Sequence, residues 1–112
     1  MKPQSVSDVF AYVKKVAEKK GWKLNYDARF LSDLVDGMFS QYQRHGYFLC
    51  PCRESWDDID KDRDVICPCA YAEADIAEYG HCFCGLYLSD TAYKEKKEVS
   101  SIPERRPEDK CP

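Results

Sequence analysis

Six of the seven cysteines in this 112-residue chain fall in three Cys-x-Cys pairs, Cys50-Pro51-Cys52, Cys67-Pro68-Cys69 and Cys82-Phe83-Cys84. Six sulfurs on so short a segment have to converge on something, and any fold of this chain must bring them there. They could bind a metal, bind a cluster or pair as disulfides. One tetrahedral metal or one iron–sulfur cluster takes four thiolates, and the two left over would make one disulfide. Cys111 belongs to no pair.

A chain of 112 residues makes one domain at most, and a core of that size often needs a metal or crosslinks to hold it. Its 44% hydrophobic and 13% aromatic content argues against wholesale disorder. There is no apolar run long enough to span a bilayer. Acidic Asp8 and its polar neighbours stand where a signal peptide would carry its apolar stretch. The expectation is therefore a cytoplasmic protein with no membrane partner. In that reducing compartment, clustered cysteines argue for metal or redox chemistry over structural disulfides.

Charge is unevenly distributed. Residues 1–49 carry eight Lys/Arg against five Asp/Glu, whereas residues 50–90 carry three against ten. An acidic cysteine half disfavours nucleic acid as a ligand there. Most of those acids lie in 54–64, which reads as a solvated loop or helix face.

Periodicity predicts a mainly α-helical fold. Val6, Val9, Phe10, Val13, Val16 and Ala17 form one stripe of a helix over Ser5–Lys20, closed by Gly21. Phe30, Leu31, Leu34, Val35, Met38, Phe39 and Tyr42 form the stripe of a second helix over Asn25–Arg44, with Asp27 in its first turn. Gly37 inside it marks a close helix contact. A short helix is expected in the acidic segment, a clear one over Ala70–Tyr79, and one more over Thr91–Glu98 capped by Ser89 or Asp90. Residues 81–88 read as a turn and a short apolar stretch. The tail, residues 100–112, has three prolines and mixed charge and reads as a solvated arm.

The pairs themselves carry the chemistry. Structural zinc favours Cys-x₂₋₄-Cys knuckles, so three Cys-x-Cys units are an unusual zinc set. Proline in the middle of two pairs fixes φ and removes an N–H, which stiffens the pair and helps to splay its sulfurs. A splayed pair can put one sulfur on iron and leave the other free. From the residues alone, a cluster with a redox disulfide, a zinc site and a disulfide framework all remain open.

The combination Cys50-Pro51-Cys52-Arg53, Asp64-Val65-Ile66-Cys67-Pro68-Cys69 and Cys82-Phe83-Cys84-Gly85-Leu86-Tyr87 resembles the catalytic chain of ferredoxin–thioredoxin reductase, in its prokaryotic branch. Arg44-His45-Gly46-Tyr47 before the first pair also looks like that family, and the resemblance covers roughly residues 5–95. It implies a small single domain of four to five helices and loops around one [4Fe–4S] cluster, residues 1–99, followed by the 100–112 tail. By position it implies Cys50, Cys67, Cys69 and Cys82 as cluster ligands. It implies Cys52 and Cys84 as the redox disulfide, with Cys52 attacking the target. The implied activity is that of a reductase passing electrons one at a time from a ferredoxin-like donor to the disulfide of a thioredoxin-like protein. The competing readings are a zinc-stabilised binding module and a simple electron-transfer iron–sulfur protein.

The chain departs from the plant-type members of that family. They carry Cys-His-Cys as the third pair, with the histidine implicated in proton handling; Phe83 stands there instead, and His81 is the candidate replacement. Fourteen residues separate the first two pairs and twelve the last two, a redistribution that affects the docking surface. Plant-type enzymes have a second, variable subunit, which makes one possible here. Ferredoxins are generally acidic, so an electron donor is expected on the basic Lys14–Lys23 side and not on the acidic 53–64 segment.

Overall fold

Two amphipathic helices form the wall on which the cysteine loops are laid. In the computed structural model, which describes residues 3–112, α1 spans Val6–Lys20 and α2 spans Ala28–His45. They pack through Val9, Val13 and Ala17 of α1 and Leu31, Leu34, Val35 and Met38 of α2. The rest of each stripe is less enclosed, with Val6, Phe10 and Phe30 exposed at its edges. The second helix starts three residues later than Asn25 because Asn25 is engaged elsewhere. Its N–H donates to the Leu86 carbonyl at 3.0 Å and its side-chain amide to the Gly85 carbonyl at 2.9 Å. Asp27 is the N-cap, accepting from the N–H groups of Arg29 and Phe30.

The C-terminal half adds three short helices, α3 (Ile59–Asp62), α4 (Ala72–Tyr79) and α5 (Asp90–Lys94). As expected, the fold is mainly α and a single small domain. The last helix ends four residues before Glu98. Lys96 turns into a left-handed conformation, and the Lys97 N–H returns to the Ala92 carbonyl at 2.9 Å. One element had no sequence signal: β1 (Lys23–Leu24) pairs antiparallel with β2 (Tyr87–Leu88), in register Lys23↔Leu88 and Leu24↔Tyr87. Strands of two residues are too short to show alternation. This pairing brings Tyr87 onto the helical wall, where its ring lies 5.3 Å from that of Trp22. Among the described residues, no helix is long and apolar enough to cross a membrane.

The tail does not behave as a solvated arm. Arg106 is buried and holds Asp64 at 2.9 Å and the Lys61 carbonyl at 3.1 Å. Arg105 joins Asp75, at 2.8 Å, to Glu78. Farther along, the Lys110 carbonyl accepts from the Trp56 indole at 2.7 Å. Burial of Asp64 and Asp75 against the body supplies the acids that the tail arginines neutralise, so mixed charge here encodes docking.

Asp62 organises the acidic segment. It is fully buried and accepts from the Tyr47 hydroxyl at 2.6 Å, the Ser55 hydroxyl and the Trp56 N–H at 3.0 Å. Burial alone would raise its pKa, but those bonds to Ser55, Tyr47 and Trp56 hold the carboxyl below its ordinary range. A depressed carboxylate contributes stability that is present above the unfolded pKa, about 4, and is lost as pH falls through the folded value. Asp62→Asn should therefore lower stability at pH 7 by about 1–3 kcal/mol, the cost of broken bonds to a buried acceptor. The gap to the parent protein should narrow in melts taken below about pH 4, where the parent's own carboxylate is protonated.

Candidate active site

The three Cys-x-Cys units reach one place because backbone hydrogen bonds tie their flanks together. Leu49 and Ile66 form an antiparallel bridge. Beside it, the Cys50 N–H donates to the Val65 carbonyl at 3.0 Å and the Cys67 N–H to the Phe48 carbonyl at 2.7 Å. The first two pairs are thus held side by side. The third sits in a tight hairpin: His81 bridges to Leu88, the Cys82 N–H donates to the Tyr87 carbonyl at 3.0 Å, and the Gly85 N–H to the Cys82 carbonyl at 2.9 Å.

Helices position these loops from below. Tyr12 of α1 donates its hydroxyl to the Cys67 carbonyl at 2.6 Å and stacks on Phe48 with ring centroids 4.2 Å apart. Gly37 of α2 lies under the first pair, and a Cβ there would stand 3.3 Å from the Pro51 Cβ. The close contact at Gly37 is thus with a cysteine loop and not, as the sequence had suggested, with a helix.

The result is a small cavity lined by Cys50, Cys67, Cys69, Cys82 and Cys84 with Ala72, Phe83, Leu86 and Tyr87. Larger surface grooves lie elsewhere, one between Trp56 and Lys110, and contain no thiol. The cavity belongs to the same apolar core as Val13 and Met38. Cys52 stands apart from the other paired cysteines, being exposed.

A model of the family described as ferredoxin thioredoxin reductase catalytic beta chain matches residues 2–107. The chain belongs to that family. No curated protein sequence matches it.

All seven cysteines are free thiols in this structure, and their surroundings differ. Burial pushes Cys67 well up, and burial with the neighbouring Cys50 charge pushes Cys69 to about 11. The Cys84 thiol donates toward its neighbours, so Cys82 drops to about 7, aided by the N–H groups of Tyr87, Gly85 and Leu86. The same donor lowers Cys52, against the opposing effect of burial. Cys84 itself is pushed well up by its bonds to Cys50, Cys52 and Cys82. The Sγ atoms of Cys82 and Cys84 are 3.8 Å apart, and the Tyr87 hydroxyl is 3.3 Å from the Cys67 sulfur. Among the described residues, no three His, Cys, Asp or Glu side chains are grouped as ligands of a single metal ion.

His81 does not face the cavity. It is buried, and its Nδ1–H donates to the Cys82 carbonyl at 2.7 Å, which leaves Nε2 to accept from the Ser100 N–H at 3.4 Å. Both ring nitrogens are occupied by backbone, so the imidazole ties the hairpin to the segment entering the tail. Of the basic patch over Lys14–Lys23, Lys20 is paired with Glu73 at 3.3 Å.

Two groups at the site escaped sequence reasoning. Tyr87 was visible only as part of a motif. Arg53 too was visible only as part of a motif, and its partner is Glu104 in the tail. Pairing across 51 residues leaves no local signal.

The hairpin's fit against the segment leading into the tail is tight at Gly85. Its φ is +79°, and a Cβ there would stand 2.7 Å from Val99 Cγ1. Gly85→Ala should thus destabilise the protein by about 1–3 kcal/mol through left-handed strain and overpacking, read as a lower midpoint in denaturant.

Proposed function

We propose that the chain is an iron–sulfur disulfide reductase that takes electrons singly from a ferredoxin-type donor and reduces the disulfide of a thioredoxin-like protein. One observation carries this reading, the position of Cys84. It lies in the wall of the cavity with its Sγ 3.8 Å from that of Cys82, and it is near enough to the exposed Cys52 to lower that thiol's pKa. A single side chain thereby joins the enclosed sulfurs to one that a macromolecular disulfide can reach.

The residues fit a [4Fe–4S] cluster held by Cys50, Cys67, Cys69 and Cys82. The cavity offers thiols among apolar and aromatic groups, with no carboxylate or imidazole in its lining, and four thiolates are what such a cluster takes. Buried thiols as hard to ionise as Cys67 and Cys69 call for cationic charge between them, which bound iron provides. The three Cys-x-Cys units also lack the Cys-x₂₋₄-Cys spacing that structural zinc sites favour, which supports a cluster over a single zinc ion. When bound, the cluster supplies electrons one at a time to a disulfide whose opening takes two.

The chain's own residues do the exchange. Cys52, accessible and lowered in pKa, attacks one sulfur of the target disulfide; a Cys52–target bond forms and the other target sulfur leaves as thiolate. Cys84 then attacks the Cys52 sulfur, the second target sulfur leaves, and a Cys52–Cys84 disulfide closes. The target has gained two electrons and the pair has lost two, which two single-electron deliveries restore. His81 serves to position the third pair, since both its nitrogens are engaged.

Replacing the two redox cysteines separates this reading from a plain electron carrier. Cys52→Ser should lose disulfide reduction by roughly 10³-fold or more, as removal of a nucleophile does. Cys84→Ser should leave Cys52 linked to the target as a mixed disulfide, visible as a summed mass without reductant. An electron carrier would be indifferent to both changes.

A further inference from the structure

Arg53 is buried next to the cysteines, its side chain only 2% exposed. Its guanidinium carbon lies 4.3 Å from the centroid of Phe83 and 5.5 Å from that of Tyr71. Both distances suit cation–π attraction, and the rings keep water from the charge. One nitrogen, Nη1, donates to the Glu104 carboxylate. The other two, Nε and Nη2, are buried without a hydrogen-bond partner. Burial opposes the charge, yet Glu104 and the Cys69 and Cys50 thiolates hold the group above its ordinary pKa. A buried guanidinium with two orphaned nitrogens is strongly unfavourable unless an anion meets it. Glu104 reaches only one of the three nitrogens.

We propose that Arg53 is a charge-tuning and positioning residue whose second partner is the anionic group held by Cys50 and Cys69, and that Glu104 of the tail is the counter-charge that moderates it. This deepens, and rests on, the iron–sulfur reading above. A fixed cation beside a redox group stabilises its reduced, more negative form and raises its potential; a carboxylate paired with that cation does the opposite. Low dielectric inside the protein enlarges both effects. Phe83 holds the cation by its face, at the position where plant-type chains carry histidine. The tail thereby acts on the site as well as on the stability of the domain.

The test is a potentiometric titration of the full-length, cluster-loaded protein, with iron and sulfide content measured on every sample. Arg53→Gln should lower the midpoint potential and Glu104→Gln should raise it. Each shift should correspond to about a tenfold change in the reduced-to-oxidised ratio, ~59 mV for a one-electron couple. Arg53→Lys keeps the charge and should recover most of the first shift. A merely structural pair would move both variants in one direction or neither, and either result overturns the inference. If Arg53→Gln fails to load, Glu104→Gln decides alone, a raised potential supporting the inference and an unchanged or lowered one ending it. A wild-type protein without iron and sulfide would sink the functional reading and this inference together. A loaded wild type whose variants keep its potential would sink the inference only.

Discussion

Buried thiols repel one another once they ionise, and the C-terminal half of this protein is arranged around that repulsion. Cys50, Cys67, Cys82 and Cys84 sit in the same apolar core as Leu34 and Met38, where water cannot screen them. Left as bare thiols, Cys67 and Cys69 resist deprotonation. The arrangement therefore has two comfortable states, one with protons on the sulfurs and one with positive charge among them. Backbone N–H groups aimed at Cys82 and the guanidinium of Arg53 near Cys69 and Cys50 both favour the charged state.

Convergence is enforced by the main chain and not by the thiols' own chemistry. The Leu49–Ile66 bridge and the hairpin at His81–Leu88 would hold the loops with any small side chain in place of cysteine. The first two loops lean on the helical wall through Tyr12 and Gly37, and the hairpin joins it through β1 and Asn25. The tail closes the remaining side, with Glu104 on Arg53, Arg105 on Asp75 and Arg106 on Asp64. Site and core are consequently one structure, so a change that loosens the hairpin also loosens the helical wall.

Much of this was legible in the sequence. Long periodic stripes gave α1 and α2, because a buried face of Val, Leu and Met repeats at helical spacing over fifteen or more residues. The three Cys-x-Cys pairs marked the site, because sulfur clusters so tightly only when it has a shared task. What stayed hidden was set by distant partners. The two-residue strands β1 and β2 pair across more than sixty residues. Asn25 left the start of α2 for the Gly85 loop, and the tail exchanged solvent for Asp64, Asp75 and Arg53. His81 looked like a proton carrier because it neighbours Cys82, but adjacency in sequence turned its ring onto backbone.

The division of the six paired cysteines into a buried set and a surface-reaching one is the centre of this account. Its most direct test is native mass spectrometry of protein purified without oxygen. The account predicts a chain heavier than its sequence mass by four iron and four sulfide, brown in colour. A chain carrying zinc and no acid-labile sulfide, or one of bare sequence mass that takes up no iron and sulfide on reconstitution, would contradict it.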